Sequence, residues 1–186
     1  MADTVNTAEP TRRDFLYIAT GTAAAIGTAC AIWPFISSLA PDQHTVAMGA
    51  PVDVDLAPIA EGQIVKVFWR DTLIFIRHRT EEEIKAAQDV DVNTLLDKQT
   101  DAQRVKEGHE PWLIVFGNCT HLGCVPTGHA GAYKGWYCPC HGSIFDTSGR
   151  VRGGPAPSNL PVPDYVFLSD TQIRIGVTEV AEEAAA

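Results

Sequence analysis

The chain is short of basic charge: 14 Lys and Arg stand against 23 Asp and Glu, a formal net charge of −9. That argues against nucleic acid as a partner, because phosphate binding needs clustered Lys and Arg. An acidic surface serves solubility, or docking to a basic partner. Cysteine is also scarce, and five in 186 residues are too few for a disulfide scaffold. No internal repeat is visible. The length suits one medium domain with an appendage rather than two large domains.

A further absence is local. From Phe15 to Pro41 there is no Asp, Glu, Lys or Arg, and about 20 apolar residues suffice for a helix to cross the roughly 30 Å hydrocarbon core. The stretch Ala19 to Ala31 is rich in Ala, Gly and Thr, which leaves two readings. One is a cleaved secretory signal with a short apolar core; the other is a retained anchor. The unbroken length and the bulky Ile32-Trp33-Pro34-Phe35-Ile36 favour an anchor over residues 15–36, with Trp33 and Phe35 near the far interface. Arg12 and Arg13 directly precede it and resemble the Tat export signal. They also hold residues 1–14 on the cytoplasmic side, since no Lys or Arg follows before Lys66. The folded part is therefore expected on the periplasmic side of a bacterial inner membrane. Residues 1–11, polar and small, are expected to be disordered. Cys30, alone in the apolar run, reads as an inert packing residue.

Residues 37–50 lack the periodicity of a packed element and are expected to be a flexible tether, with one continuous helix into the domain as the alternative. Residues 51–177 read as mainly β. Gln63–Trp69 and Leu73–His78 are expected strands joined at Arg70-Asp71-Thr72. A capped helix is expected from Thr80 to Ala87, then a polar surface excursion over 88–110. Trp112–Gly117 is a further strand, Tyr165–Leu168 and Gln172–Val177 form a closing hairpin, and 178–186 is a frayed tail.

Four cysteines fall within 22 positions, each pair beside a histidine. Cys119-Thr120-His121-Leu122-Gly123-Cys124 is followed by Cys138-Pro139-Cys140-His141-Gly142-Ser143. Two loops, each offering one thiolate and one imidazole, can close a four-ligand metal site. Cys₂His₂ also suits structural zinc. Zinc, however, usually draws two ligands of one kind from each arm. Mixed arms fit a binuclear iron–sulfur cluster better, one iron taking the cysteines and the other the histidines. His44, His78, His109 and His129 have no matching partners and read as solvated or structural.

Taken with Arg12-Arg13-Asp14-Phe15-Leu16, the anchor, the tether and Gly154-Pro155-Ala156-Pro157, these motifs resemble the Rieske iron–sulfur subunits of bacterial cytochrome bc complexes. The resemblance implies an antiparallel β-sandwich Rieske domain carrying one [2Fe–2S] cluster, with a cluster-binding subdomain inserted at about 117–160. It implies Cys119 and Cys138 on the buried iron, His121 and His141 on the outer one, and a disulfide between Cys124 and Cys140. Ser143 corresponds to the serine that donates to a bridging sulfide, Gly154 to Pro157 to the proline loop covering the cluster, and Leu122 to the apolar tip facing the quinol pocket. The activity implied is that of a quinol–cytochrome c reductase subunit, a translocase, with cytochrome b, cytochrome c₁ and quinol as partners in a dimeric complex. His141, with His121 beside it, takes a proton as the cluster takes an electron, and the domain then swings on the tether toward cytochrome c₁.

Two positions depart from the family pattern. Where quinol-oxidising members usually carry Tyr, this chain has Phe145, without a hydroxyl to donate to a cysteine sulfur. Losing such a bond disfavours the more negative reduced state, so a lower potential is expected. Gly153 stands where many relatives carry Lys. Other readings are a Rieske subunit of another periplasmic oxidoreductase, such as arsenite oxidase, and a zinc-binding structural module. A Rieske oxygenase is disfavoured because no length remains for a domain with mononuclear iron.

Overall fold

The computed structural model describes residues 11–178; the expected disordered start (all but Thr11) and the tail beyond Thr178 lie outside the described residues. Helix α1 (Arg12–Ser37) opens on a capping box. The Asp14 amide donates to Thr11 Oγ1 at 3.3 Å, and the Thr11 amide donates to Asp14 Oδ2 at 2.9 Å. That cap starts the helix ahead of the expected anchor at 15–36 and includes both arginines. Its 26 residues, about 39 Å at 1.5 Å each, are long and apolar enough to cross a membrane. None of them is buried, Cys30 included. Within 37–50, where a flexible tether is expected, α1 ends at Ser37 and does not run on as the continuous helix of the alternative. A short helix, α2 (Gln43–Met48), forms because Asp42 Oδ1 accepts the Thr45 amide at 2.6 Å.

The domain from Ala47 onward is a separate compact unit, with three small antiparallel sheets among the described residues. The strands are β1 (Val52–Asp55), β2 (Ile64–Trp69), β3 (Thr72–His78), β4 (Trp112–Phe116), β5 (Thr127–Gly128), β6 (Trp136–Cys138), β7 (Ser143–Phe145), β8 (Val151–Gly153), β9 (Tyr165–Ser169) and β10 (Gln172–Ile175), with α3 (Glu81–Gln88) after β3. They pair in the orders β1-β10-β9, β2-β3-β4 and β5-β6-β7-β8. The β2–β3 hairpin turns at Arg70 and Asp71, both at positive φ (50° and 58°), which matches the right-handed strand twist.

β3 is buried on both faces, and the two-residue period of a strand sorts its side chains. Ile74 and Ile76 point into a core with Leu56, Ile114, Tyr165, Ile173 and Ile175. Leu73 and Phe75 point into a second core with Leu113, Val115, Cys119, Trp136, Cys138 and Phe145. Each such buried apolar side chain stabilises by about 1.5–3 kcal/mol. The expected metal ligands Cys119 and Cys138 thus belong to the second core rather than to a surface loop.

The segment 88–110 is largely exposed, as expected, but sends three side chains inside. It holds two short 3-10 turns, Val92–Thr94 and Asp101–Gln103, and buries Leu95, Asp101 and Arg104. Asp101 accepts from Arg79 Nη1 at 2.6 Å and from Ser148 Oγ at 2.5 Å. Arg104 donates to the carbonyls of Ser148 (2.6 Å) and Leu160 (2.5 Å). Buried charge is tolerated where it is paired and hydrogen-bonded, so Asp101 and Arg104 lie inside, tying this segment to Arg79 and the loop at 146–150.

Candidate metal centre

Two loops of the same construction lie side by side. In the first, the Gly123 amide donates to the Cys119 carbonyl at 2.8 Å; in the second, the Gly142 amide donates to the Cys138 carbonyl at 3.0 Å. Each cysteine is four residues before its glycine, and both glycines sit at positive φ (78° and 80°), where a side chain would be strained. The first loop is also pinned at its stem, where Gly117 donates to the Leu73 carbonyl and Cys119 to the Cys124 carbonyl, both at 2.7 Å.

This construction sends unlike residues to opposite ends of the site. Cys119 and Cys138 are 3 % and 2 % exposed. His121 is half-buried and His141 exposed, their rings 4.7 Å apart and nearly perpendicular. Cys124 and Cys140 form a disulfide joining the two loops. The sulfurs of Cys124, Cys138 and Cys140 lie within 4.8 Å of one another. Two of those three are consumed by the disulfide, so they do not make a metal site of their own.

Inner thiols and outer imidazoles suit a binuclear cluster with unlike irons. A second observation agrees: His121 Nδ1 is buried without a hydrogen-bond partner among the described residues. An unpaired buried nitrogen costs about 1–3 kcal/mol, a cost that a metal bond removes. Cys119, His121, Cys138 and His141 therefore fit a [2Fe–2S] group as its expected holders.

The cover is a third loop. Ser143 is fully buried and its Oγ accepts the Ala156 amide at 3.2 Å, leaving the hydroxyl proton to donate elsewhere. Gly154 (φ +87°) packs so close to Ser143 that an added Cβ would lie 2.5 Å from its Cα. Thr120 Oγ1 donates to the Ser158 carbonyl at 2.7 Å, so the cover bonds to both ligand loops. Pro155 and Pro157 are exposed. Thr120 escaped sequence reasoning, since its partner lies 38 residues away. Phe145 is fully buried, opposite Trp136 in the β6–β7 register. Leu122 is 70 % exposed, and Val125 and Tyr137 join it as large exposed apolar groups that sequence reasoning did not select. The remaining histidines are placed away from this pair: His78 stacks on Trp112 and His109 on Phe167.

The sequence profile described as "Rieske [2Fe-2S] domain" matches residues 53–165. A second, described as "Ubiquitinol-cytochrome C reductase Fe-S subunit TAT signal", matches residues 2–42. The chain belongs to the Rieske iron–sulfur family. Among its relatives, the ubiquinol–cytochrome c reductase iron–sulfur subunit of Bradyrhizobium diazoefficiens is 62 % identical over 90 % of this chain and 95 % of its own length. The subunit of the same description from Blastochloris viridis is 58 % identical, covering 92 % and 96 %. The mitochondrial cytochrome b-c1 complex Rieske subunit of Candida albicans is 48 % identical, covering 88 % and 77 %. A chain of a hyperthermophilic respiratory complex III superposes with a TM-score of 0.51 at 24 % identity, over 84 % of this chain and 98 % of that one, a likeness of fold. As a Rieske protein the chain carries a Rieske-type [2Fe–2S] cluster, and its Tat-type apolar helix accords with membrane anchoring. These relatives lend nothing to the arsenite-oxidase, oxygenase or zinc readings.

Proposed function

We propose that this chain is the electron-transfer subunit of a quinol–cytochrome c oxidoreductase, with Cys119, His121, Cys138 and His141 holding the cluster. The observation that carries the reading is the pairing of His121 and His141 at the outer edge of two loops whose Cys119 and Cys138 are buried. The bound cluster supplies one-electron chemistry at a potential raised by its neutral imidazole ligands. The protein's part is to hold, orient and protonate. With its buried Nδ1 toward the metal, His121 keeps Nε2 for an outside partner, and the exposed His141 does the same at the tip. Once its outer nitrogen has lost its proton, such an imidazole would accept one from a quinol hydroxyl, with the accompanying electron passing to the cluster. Leu122, exposed between the ligand loop and solvent, excludes water from that contact.

The same reading extends to the surroundings. Cytochrome b supplies the quinol pocket and cytochrome c₁ takes the electron, within a dimeric complex. The region 37–50 serves as the hinge, and the domain works on the periplasmic side of a bacterial inner membrane. Arg12 and Arg13 at the head of α1 support that orientation.

EPR spectroscopy during a redox titration tests the core of this. A rhombic signal appearing on mild reduction, and lost in Cys119→Ala, Cys138→Ala, His121→Ala and His141→Ala alike, is the expected result. A colourless, zinc-containing protein would overturn it.

A further inference from the structure

The two-residue period of β3 places Arg77 in the row of Leu73 and Phe75, on the face toward the core that holds Cys119 and Cys138. It is a cation with 0 % exposure in a row of hydrophobic residues. Buried charge is expensive unless it is paired and fully hydrogen-bonded, and what Arg77 bonds to is informative. Its Nε donates to Glu83 Oε2 at 3.3 Å and its Nη2 to Glu83 Oε1 at 2.5 Å. Nη2 also donates to the Lys134 carbonyl at 3.1 Å and meets His129 Nδ1 at 3.3 Å. A guanidinium only donates, and the two Nη2 hydrogens are shared among these three acceptors, so that His129 nitrogen accepts and the ring proton sits on Nε2. The guanidinium carbon lies 5.1 Å from the centroid of the Trp136 ring, a cation–π distance. Nη1 is buried without a hydrogen-bond partner among the described residues.

His129, Lys134 and Trp136 all lie on the β5–β6 hairpin or its loop, and β6 ends at Cys138. The other inner cysteine, Cys119, follows three residues after β4, which pairs with β3 at Arg77↔Leu113. The two cysteine arms therefore grow from different sheets, and Arg77 belongs to one while bonding to the other. Apolar contact between the sheets, such as Phe75 against Trp136 at 5.9 Å, is non-directional. The Arg77 fork is directional.

We propose that Arg77 is a positioning residue for the cluster: it fixes the β5–β6 hairpin, and with it Cys138, relative to the strand pair that delivers Cys119. The inference rests on the assignment of both cysteines as ligands. It gives a role to a buried cation that neither touches the cluster loops nor forms part of their motifs. It also accounts for His129 being held at φ +55°, a conformation uncommon outside glycine. Lysine cannot replace the fork, because an ammonium lacks the planar donors and the stacking face.

The test uses the full-length, cluster-loaded protein and three variants: Arg77→Lys, His129→Ala, and Arg79→Lys as a comparison. Arg79 is equally buried and paired with Asp101 but has no hydrogen bond to the hairpin. Arg77→Lys is expected to broaden the EPR lines of the reduced cluster and to speed its bleaching by a chelator on the order of tenfold, as loss of a charge-assisted hydrogen bond would. His129→Ala should move both in the same direction by less. Arg79→Lys should lower Tm while leaving line widths and bleaching alone. Should Arg77→Lys differ from Arg79→Lys in neither spectrum nor bleaching, the positioning role falls. If Arg77→Lys does not fold, His129→Ala decides alone: unchanged line width and bleaching would overturn the proposal. Cys138→Ala separates the two layers of argument, since an intact Rieske signal in that variant would remove the ligand assignment itself.

Discussion

Ser143 Oγ accepts the Ala156 amide at 3.2 Å, so this buried hydroxyl still has its proton to donate. Its lone pair anchors the cover loop, and its proton is free for a cluster sulfur. Ser143→Ala should therefore lower the midpoint potential, because hydrogen bonds to sulfur favour the more negative reduced state. It should also cost about 1–3 kcal/mol in stability, since the buried Ala156 amide loses its partner. Potentiometric EPR and thermal melts of the loaded protein read both. A potential equal to that of the unaltered chain would show that the proton goes elsewhere.

Phe145 is completely buried in the core shared with Trp136 and Cys138. Phe145→Tyr adds a hydroxyl donor there, and the expected outcome is a rise in midpoint potential. The added oxygen also has to fit a packed core, where overpacking typically costs about 1–3 kcal/mol, so Tm should fall modestly. A potential that stays put or drops would contradict the hydrogen-bond account.

The Cys124–Cys140 disulfide closes 16 residues of sequence. A loop of about that length contributes roughly 3 kcal/mol by the chain-entropy account. The paired variant Cys124→Ser/Cys140→Ser should lose stability of that order, and should lose its cluster on mild heating while the intact protein keeps it. Visible absorbance during a temperature ramp follows this directly. Identical bleaching temperatures would mean that the loops hold each other without the cross-link.

Much of the site was legible because its chemistry is local. The two cysteine–histidine loops carry distinctive residue types at fixed spacings, and the shared C-x-x-x-G of Cys119 to Gly123 and Cys138 to Gly142 lies in plain view. The β2–β3 hairpin was legible too, although its turn is Arg70 and Asp71 alone, Thr72 being paired with Trp69 rather than in the expected three-residue turn. What escaped was long-range or short. β5 to β8 have two or three residues each, too few to display a period. β1 did display one, Val52-Asp53-Val54-Asp55, but over four residues only, and its partner β10 lies at the far end of the chain. Residues 88–110 read as surface because polar residues usually are; Asp101 and Arg104 are inside because Arg79, Ser148 and Leu160, distant in sequence, supply their partners. The helix at Gln43–Met48 depended on a cap at Asp42 that composition alone did not flag.

β3 is a party wall. Ile74 and Ile76 are timbers of one room, Leu73 and Phe75 of the other, and the strand cannot leave the wall without opening both. The domain has no half that can melt in private. On heating or in denaturant, bleaching of the cluster and collapse of the tryptophan environment at Trp69, on the far side from Trp136, should fall on one transition curve. Two separate curves would mean that the wall can be breached from one side only.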